Sequence, residues 1–205
     1  MNALERQLAG PMGRADPAVD RLRAAIARRA QAQDLLDVAY RTMDTAVGSL
    51  LLAATPAGLV RVAYAIQDHD AVLAGLAERV SPRILLAPEK LDDAARQLDD
   101  YLAGHRQGFD LPLDLRLAHG FRRSVLERLP DIGYGRTASY ADLAAAAGSP
   151  NAVRAAGTAC ATNPLPLVLP CHRVVRSDGS SGGYVGGQDV KERLLDLERA
   201  GRRRP

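Results

Sequence analysis

The sequence predicts an α+β fold in two parts: a small β-sheet and helix unit, then a mostly helical unit. Two observations carry this. Three β-like runs separated by turn residues fill residues 38–65. Two short alanine-rich runs joined by Gly148-Ser149-Pro150-Asn151 fill residues 140–162, a helix-turn-helix pattern. A chain of 205 residues suffices for one large or two small domains, and 47% hydrophobic residues can bury a normal core.

Asp16-Pro17 is an N-cap followed by proline at the first helical position. AVDRLRAAIARRAQAQDLLD then fits a helix to about Asp37. Its apolar stripe (Val19, Leu22, Ile26) is thin. Residues 1–36 are expected to be an extension that docks weakly or on a partner, or a solvated helix against its own domain. VAYRTM, SLLLAAT and LVRVAYA form a meander with turns at Gly48-Ser49 and Pro56-Ala57-Gly58. DHDAVLAGLAERV has helical spacing at Val72, Leu73, Leu76 and Val80. RILLAP is a strand. PEKLDDAARQLDDYLAG is a second helix with Leu91, Ala94, Ala95, Leu98 and Leu102 on one side, and GFDLPLDL is extended. Residues 37–115 are expected to form an α+β supporting domain without a catalytic constellation.

From Arg116 the character changes, and residues 116–205 are expected to form the second domain. AHGFRRSVLERLPDI is amphipathic, GYGRTASY leads into YADLAAAAG, and AVRAAGTACAT starts the next helix. Its small side chains favour helix as such. They also let a helix backbone approach a nucleic-acid groove, with Arg154 as the one long probe.

The net charge of +3 is mild, and the positive charge is nearly all arginine, with Lys90 and Lys191 the two lysines. No apolar run is long enough to cross a bilayer, and the N-terminus lacks the apolar core of a secretory signal, so a cytoplasmic protein is expected. Cys160 and Cys171 form no CxxC pair, and His69, His105, His119 and His172 are scattered. No structural metal is expected.

Cys160, inside the alanine-rich helix, fits a buried inert thiol. Cys171 does not. It follows the apolar run LPLVLP, precedes His172, and is trailed by a glycine-rich loop. A free thiol has a pKa of ~8.5, so a base, a cation or aligned donors must help before sulfur attacks at a useful rate. A histidine base needs a carboxylate to fix its tautomer. KERLLDLERA offers Glu192, Asp196 and Glu198, and spacing alone does not choose between them.

Pro170-Cys171-His172-Arg173-Val174, Asn163-Pro164-x-Pro166 upstream, GYGRTASY, Gly183-Tyr184-x-Gly186-Gly187 downstream and Lys191-Glu192 appear in one order. In these motifs the sequence resembles the O6-alkylguanine-DNA alkyltransferases, also called methylated-DNA–protein-cysteine methyltransferases. The resemblance covers about residues 38–200 and is strongest from Phe121 onward. It implies a ribonuclease H-like N-terminal domain and a winged helix-turn-helix DNA-binding domain. It implies that Cys171 takes the alkyl group from O6 of guanine, and from O4 of thymine, in a single-use reaction. By position His172 takes the thiol proton through a water, Glu198 is its carboxylate partner, and Asn163 bonds near the cysteine. Tyr140 donates to the departing guanine and crowds the phosphate. Arg154 enters the base stack, and Ala155, Gly157 and Thr158 belong to the same DNA-facing helix. Tyr140, Val174, Tyr184, Val185 and Gly186 line the alkylguanine pocket.

The implied partner is double-stranded DNA, approached from the minor groove with little sequence preference. The protein is implied to act as a monomer without cofactor, nucleoid-associated when bound; cooperative binding along DNA is left open. Val185 stands where some relatives carry a small polar residue, which puts tolerance of bulky alkyl groups in doubt. Ala161-Thr162 replace a basic residue of some relatives, and the zinc ligands of others are missing. Two alternatives remain: a non-catalytic lesion-binding relative, a class that lacks the cysteine, and a thiol hydrolase using Cys171, His172 and Glu198.

Overall fold

The run SLLLAAT is apolar at consecutive positions because both of its faces are covered. It lies in strand β2 (Gly48–Thr55), between β1 (Val38–Thr45) and β3 (Gly58–Tyr64). In the computed structural model, which describes residues 36–202 together with Arg21, Leu22, Ala25 and Arg29, these three strands form an antiparallel meander. A short strand β4 (Ile84–Leu86) joins parallel to β1, giving the order β3-β2-β1-β4. The helix expected over residues 16–37 lies almost wholly outside the described residues.

Alternation along β2 divides the packing. Leu51 and Ala53 share a small cluster with Val72 and Leu76 of α1 (His69–Arg79). Leu50 and Leu52 share the large core with Leu98 and Tyr101 of α2 (Asp92–Leu102). That core continues into the second half of the chain through Val125, Leu143, Ala156, Leu165, Cys171 and Leu194. The two parts therefore bury one continuous apolar interior. The extended segment after α2 runs along β3, with Leu59 N donating to Pro112 O at 2.8 Å. Gly58 is required there, since a Cβ would stand 2.3 Å from Pro112 O. Further along β3, Val62 N donates to Pro164 O at 2.9 Å, tying the sheet to the loop that precedes Cys171.

The second part holds α3 (Gly120–Arg128), α4 (Tyr140–Ala146), α5 (Val153–Ala161) and α6 (Gln188–Arg202). Ser139 caps α4 through a capping box with Asp142. Two-residue strands β5 (Ala138–Ser139) and β6 (Val174–Val175) pair in parallel beside α4. Helices α4 and α5 are the expected helix-turn-helix pair. Helix α6 carries Glu198 and runs on to Arg202. Among the described residues no helix is long and apolar enough to cross a membrane.

Candidate active site

Asn163 follows α5 by two residues and organises the turn that delivers the cysteine. Its Oδ1 accepts from Leu165 N at 2.9 Å, and its Nδ2 donates to Leu169 O at 2.8 Å and to Cys171 Sγ at 3.1 Å. Every polar hydrogen of that amide is thus committed. The turn includes Leu167 at φ 74, in the left-handed region that costs a bulky residue strain. Cys171 is 2% exposed. Burial pushes its thiol up to about 11, against the Asn163 hydrogen bond and the Lys191 charge. At rest it is a thiol.

His172 is fully buried, and its Nε2 lies 2.8 Å from Glu198 Oε1. A carboxylate only accepts, so the imidazole proton sits on Nε2 and Nδ1 keeps a lone pair. That Nδ1 is buried and takes no hydrogen bond from the described residues. Burial is the largest effect on His172 and lowers its pKa, against the pull of Glu198, so the ring is held neutral. It is a base with one free accepting nitrogen.

Glu198 is also 0% exposed, yet charged. Burial alone would raise it, but hydrogen bonds from His172, Arg173 and Tyr101 outweigh this and pull it to about 2. Arg173 grips it with Nε and Nη2 at 3.0 and 2.9 Å and anchors itself through Nη1 to Ile132 O at 2.6 Å. Gly135 N, in the GYG turn, donates to Oε2 at 2.8 Å.

The remaining expected residues lie on α4, α5, β6 and the glycine loop. Tyr140, at the start of α4, lies between α5 and the glycine loop: a Cβ on Gly157 would stand 3.9 Å from its ring and one on Gly182 would stand 3.2 Å from its hydroxyl. Arg154, Ala155 and Thr158 are exposed on α5, with Gly157 half-buried. Val174 is fully buried in β6, and Tyr184, Val185 and Gly186 are half-buried in the loop. Cys160 is buried and both cysteines are free.

Four contributors were not expected from the sequence. No site residue is expected between 38 and 115, yet Tyr101 from α2 reaches across. Its hydroxyl donates to Glu198 Oε1 at 2.5 Å and lies 3.2 Å from His172 Nε2. Tyr64 from β3 meets the Tyr184 hydroxyl at 2.9 Å. Arg173, inside the Pro-Cys-His-Arg-Val motif, clamps Glu198. Lys191 is fully buried, with Nζ donating to Val174 O at 2.6 Å and to Ser181 O. Its signal is its rarity: in a chain with two lysines, an ammonium fits between two carbonyls where a guanidinium does not.

The domain pattern described as "6-O-methylguanine DNA methyltransferase, DNA binding domain" matches residues 120–200, and its "ribonuclease-like domain" partner matches residues 38–115. The chain belongs to this 6-O-methylguanine DNA methyltransferase family. Among similar proteins is the methylated-DNA–protein-cysteine methyltransferase of Mycolicibacterium paratuberculosis, 39% identical over 79% of this chain and 93% of the relative. That of Methanosarcina barkeri is 38% identical over 78% and 96%. The crystal structure of Mycobacterium tuberculosis O6-methylguanine methyltransferase matches with a TM-score of 0.71 at 36% identity, covering 82% of this chain and 95% of that one. The same organism's protein in complex with DNA matches with a TM-score of 0.70, covering 80% and 94%.

Proposed function

We propose that Cys171 is the acceptor, taking the alkyl group from O6 of alkylguanine, and from O4 of alkylthymine, in double-stranded DNA. Family membership makes the reaction one of DNA repair by methyl transfer to a protein cysteine. The observation that supports the assignment is the set of bonds around Cys171 and His172. Cys171 Sγ is oriented by Asn163, and beside it His172 has Nε2 committed to Glu198 and Nδ1 free to accept.

The thiol proton passes through a water to His172 Nδ1. Glu198 and its clamp stabilise the imidazolium that forms. Sulfur attacks the alkyl carbon in line, the S–C bond forms, and the C–O6 bond breaks with its electron pair leaving on guanine. Tyr140 donates to a ring nitrogen of the departing base. The product is a thioether, which has no carbonyl for water to attack and releases thiolate poorly, so each chain reacts once.

O6 is inaccessible in a paired duplex, so the base must be flipped out at a cost of a few kcal/mol. Exposed Arg154 on α5, among the small residues Ala155, Gly157 and Thr158, suits a helix that lies close in the minor groove and fills the stack. Contacts there carry little sequence information. Tyr184, Val185, Gly186 and Val174 with Tyr140 bound the base pocket, and the protein acts as a monomer.

The test is intact-mass measurement after incubation with DNA containing O6-methylguanine. One methyl group per chain, mapped to Cys171, is expected. Modification of Cys160, or more than one equivalent consumed per chain, would overturn the assignment. Arg154→Ala is expected to slow transfer in paired duplex by about tenfold, with less effect in single strands and partial rescue by a mismatch opposite the lesion. Equal losses on all three substrates would show that Arg154 merely binds phosphate.

A further inference from the structure

Tyr64 and Tyr184 come from opposite halves of the fold and meet hydroxyl to hydroxyl at 2.9 Å, their rings edge to face at 5.8 Å. Two residues further on, Gly186 has no room for a side chain. A Cβ there would stand 2.7 Å from the Tyr64 ring. One tyrosine of the sheet thus touches the glycine loop twice, by its hydroxyl at Tyr184 and by its ring face at Gly186.

We infer that Tyr64 fixes the width of the alkylguanine pocket and is a specificity-determining residue for alkyl group size. The inference rests on the reading of residues 184–186 as the pocket wall. A loop with glycine at 179, 182, 183, 186 and 187 has many backbone conformations open to it. Its position is therefore set by its tethers. Several of these are local, such as Ser180 N to Asp178 Oδ1 at 2.9 Å and Gly187 N to Tyr184 O at 3.0 Å, and hold the loop's shape rather than its place. Lys191 anchors the early part of the loop at Ser181 O. Tyr64 anchors the later part, where the wall is.

The anchor is rigid. Tyr64 ends β3, is 2% exposed, and its backbone N donates to Gln67 Oε1 at 3.1 Å. Two residues earlier, Val62 is bonded to Pro164 on the cysteine side of the site. The sheet therefore holds both walls, one through Val62 and one through Tyr64. Cys171 is 2% exposed, and with residues 184–186 as the pocket wall, an alkylated base reaches Sγ by displacing that wall. A methyl group requires a small displacement and a benzyl group a larger one. The hydroxyl pair resists the larger displacement more.

The experiment compares single-turnover transfer from O6-methylguanine and O6-benzylguanine in the same duplex, for wild type, Tyr64→Phe and Tyr64→Leu. Tyr64→Phe removes the hydroxyl bond and keeps the ring. The benzyl-to-methyl rate ratio is expected to rise about three- to tenfold, the size of one net hydrogen bond. Tyr64→Leu, which also frees Gly186, should raise it further; should that variant not fold, Tyr64→Phe decides alone. A ratio that stays constant or falls while both rates change would show that Tyr64 supports the fold without selecting substrate. A wild-type protein that gains no mass on Cys171 from either substrate would instead remove the pocket reading, and this inference with it.

Discussion

Glu198→Gln is expected to slow single-turnover methyl transfer by about 10²–10⁴-fold, the usual worth of a positioned acid–base pair. It is expected to lower stability by about 3–5 kcal/mol, the usual cost of breaking a buried ion pair. The amide matches the carboxylate in shape but not in chemistry. Glu198 accepts from His172 Nε2, Tyr101, Arg173 and Gly135 at once. Glutamine turns one of its two acceptors into a donor. The buried Arg173 guanidinium loses its counter-charge, and the imidazolium formed during transfer loses its own. The pH dependence follows from the depressed carboxyl. Its folded pKa is about 2 against an ordinary 4.5, so its stabilisation is present above about pH 4.5 and is lost as pH falls through 2. Urea unfolding at pH 7 and at successively lower pH measures both quantities. A variant within tenfold of the wild-type rate, with the same acid transition, would show that the cluster is structural ballast.

Much of this site was legible because its chemistry is local in sequence. Pro170 to Val174 is a single motif, and Asn163 reaches it across one turn. The choice among Glu192, Asp196 and Glu198 was not settled by spacing from His172, but helix phase settles it. Lys191, Leu194 and Glu198 recur at helical intervals and are buried together, whereas Glu192 and Asp196 face solvent with Gln188 and Arg199 as partners. Two charged residues in an apolar stripe are the sign of a buried polar site. Tyr101 was missed for a similar reason. The stripe Leu91, Ala94, Ala95, Leu98 continues to Tyr101, which is fully buried, and not to Leu102, which is half-buried. Tyr64 had no such signal. It alternates as a core residue of β3 should, and its meeting with Tyr184 is set by how the two halves dock, which no local pattern records. The meander and the helix-turn-helix were legible from period and turn chemistry, but the parallel addition of β4 to β1 depends on a crossover through α1.

Methylated protein is expected to be less stable than unmodified protein by roughly 2–6 kcal/mol, and benzylated protein less stable still. Asn163 Nδ2 donates to Cys171 Sγ at 3.1 Å in the thiol form. A thioether accepts poorly and donates nothing, so the buried amide loses part of its satisfaction, at about 1–3 kcal/mol. The added carbon enters a site where sulfur is 2% exposed and packed in the main core, and overpacking there costs about 1–3 kcal/mol. Asn163 cannot move alone. Its other bonds hold Leu165 and Leu169, and the turn between them already carries Leu167 at φ 74. Two residues before Asn163, α5 ends at Ala161, and the intervening Thr162 carbonyl is held by Arg122 of α3. Strain at the sulfur therefore reaches the helix that carries Arg154. Spent protein should melt lower by roughly 4–20 °C, be cut faster by protease, and release DNA more readily than Cys171→Ala, which removes the sulfur without adding bulk. The measurement is thermal unfolding before and after stoichiometric methylation or benzylation, with DNA affinity determined on the same samples. Unchanged or higher melting temperatures for both adducts would mean that the loop at Tyr184–Gly186 yields to the alkyl group and relieves the strain. In that case DNA release would have to be driven by loss of the lesion alone.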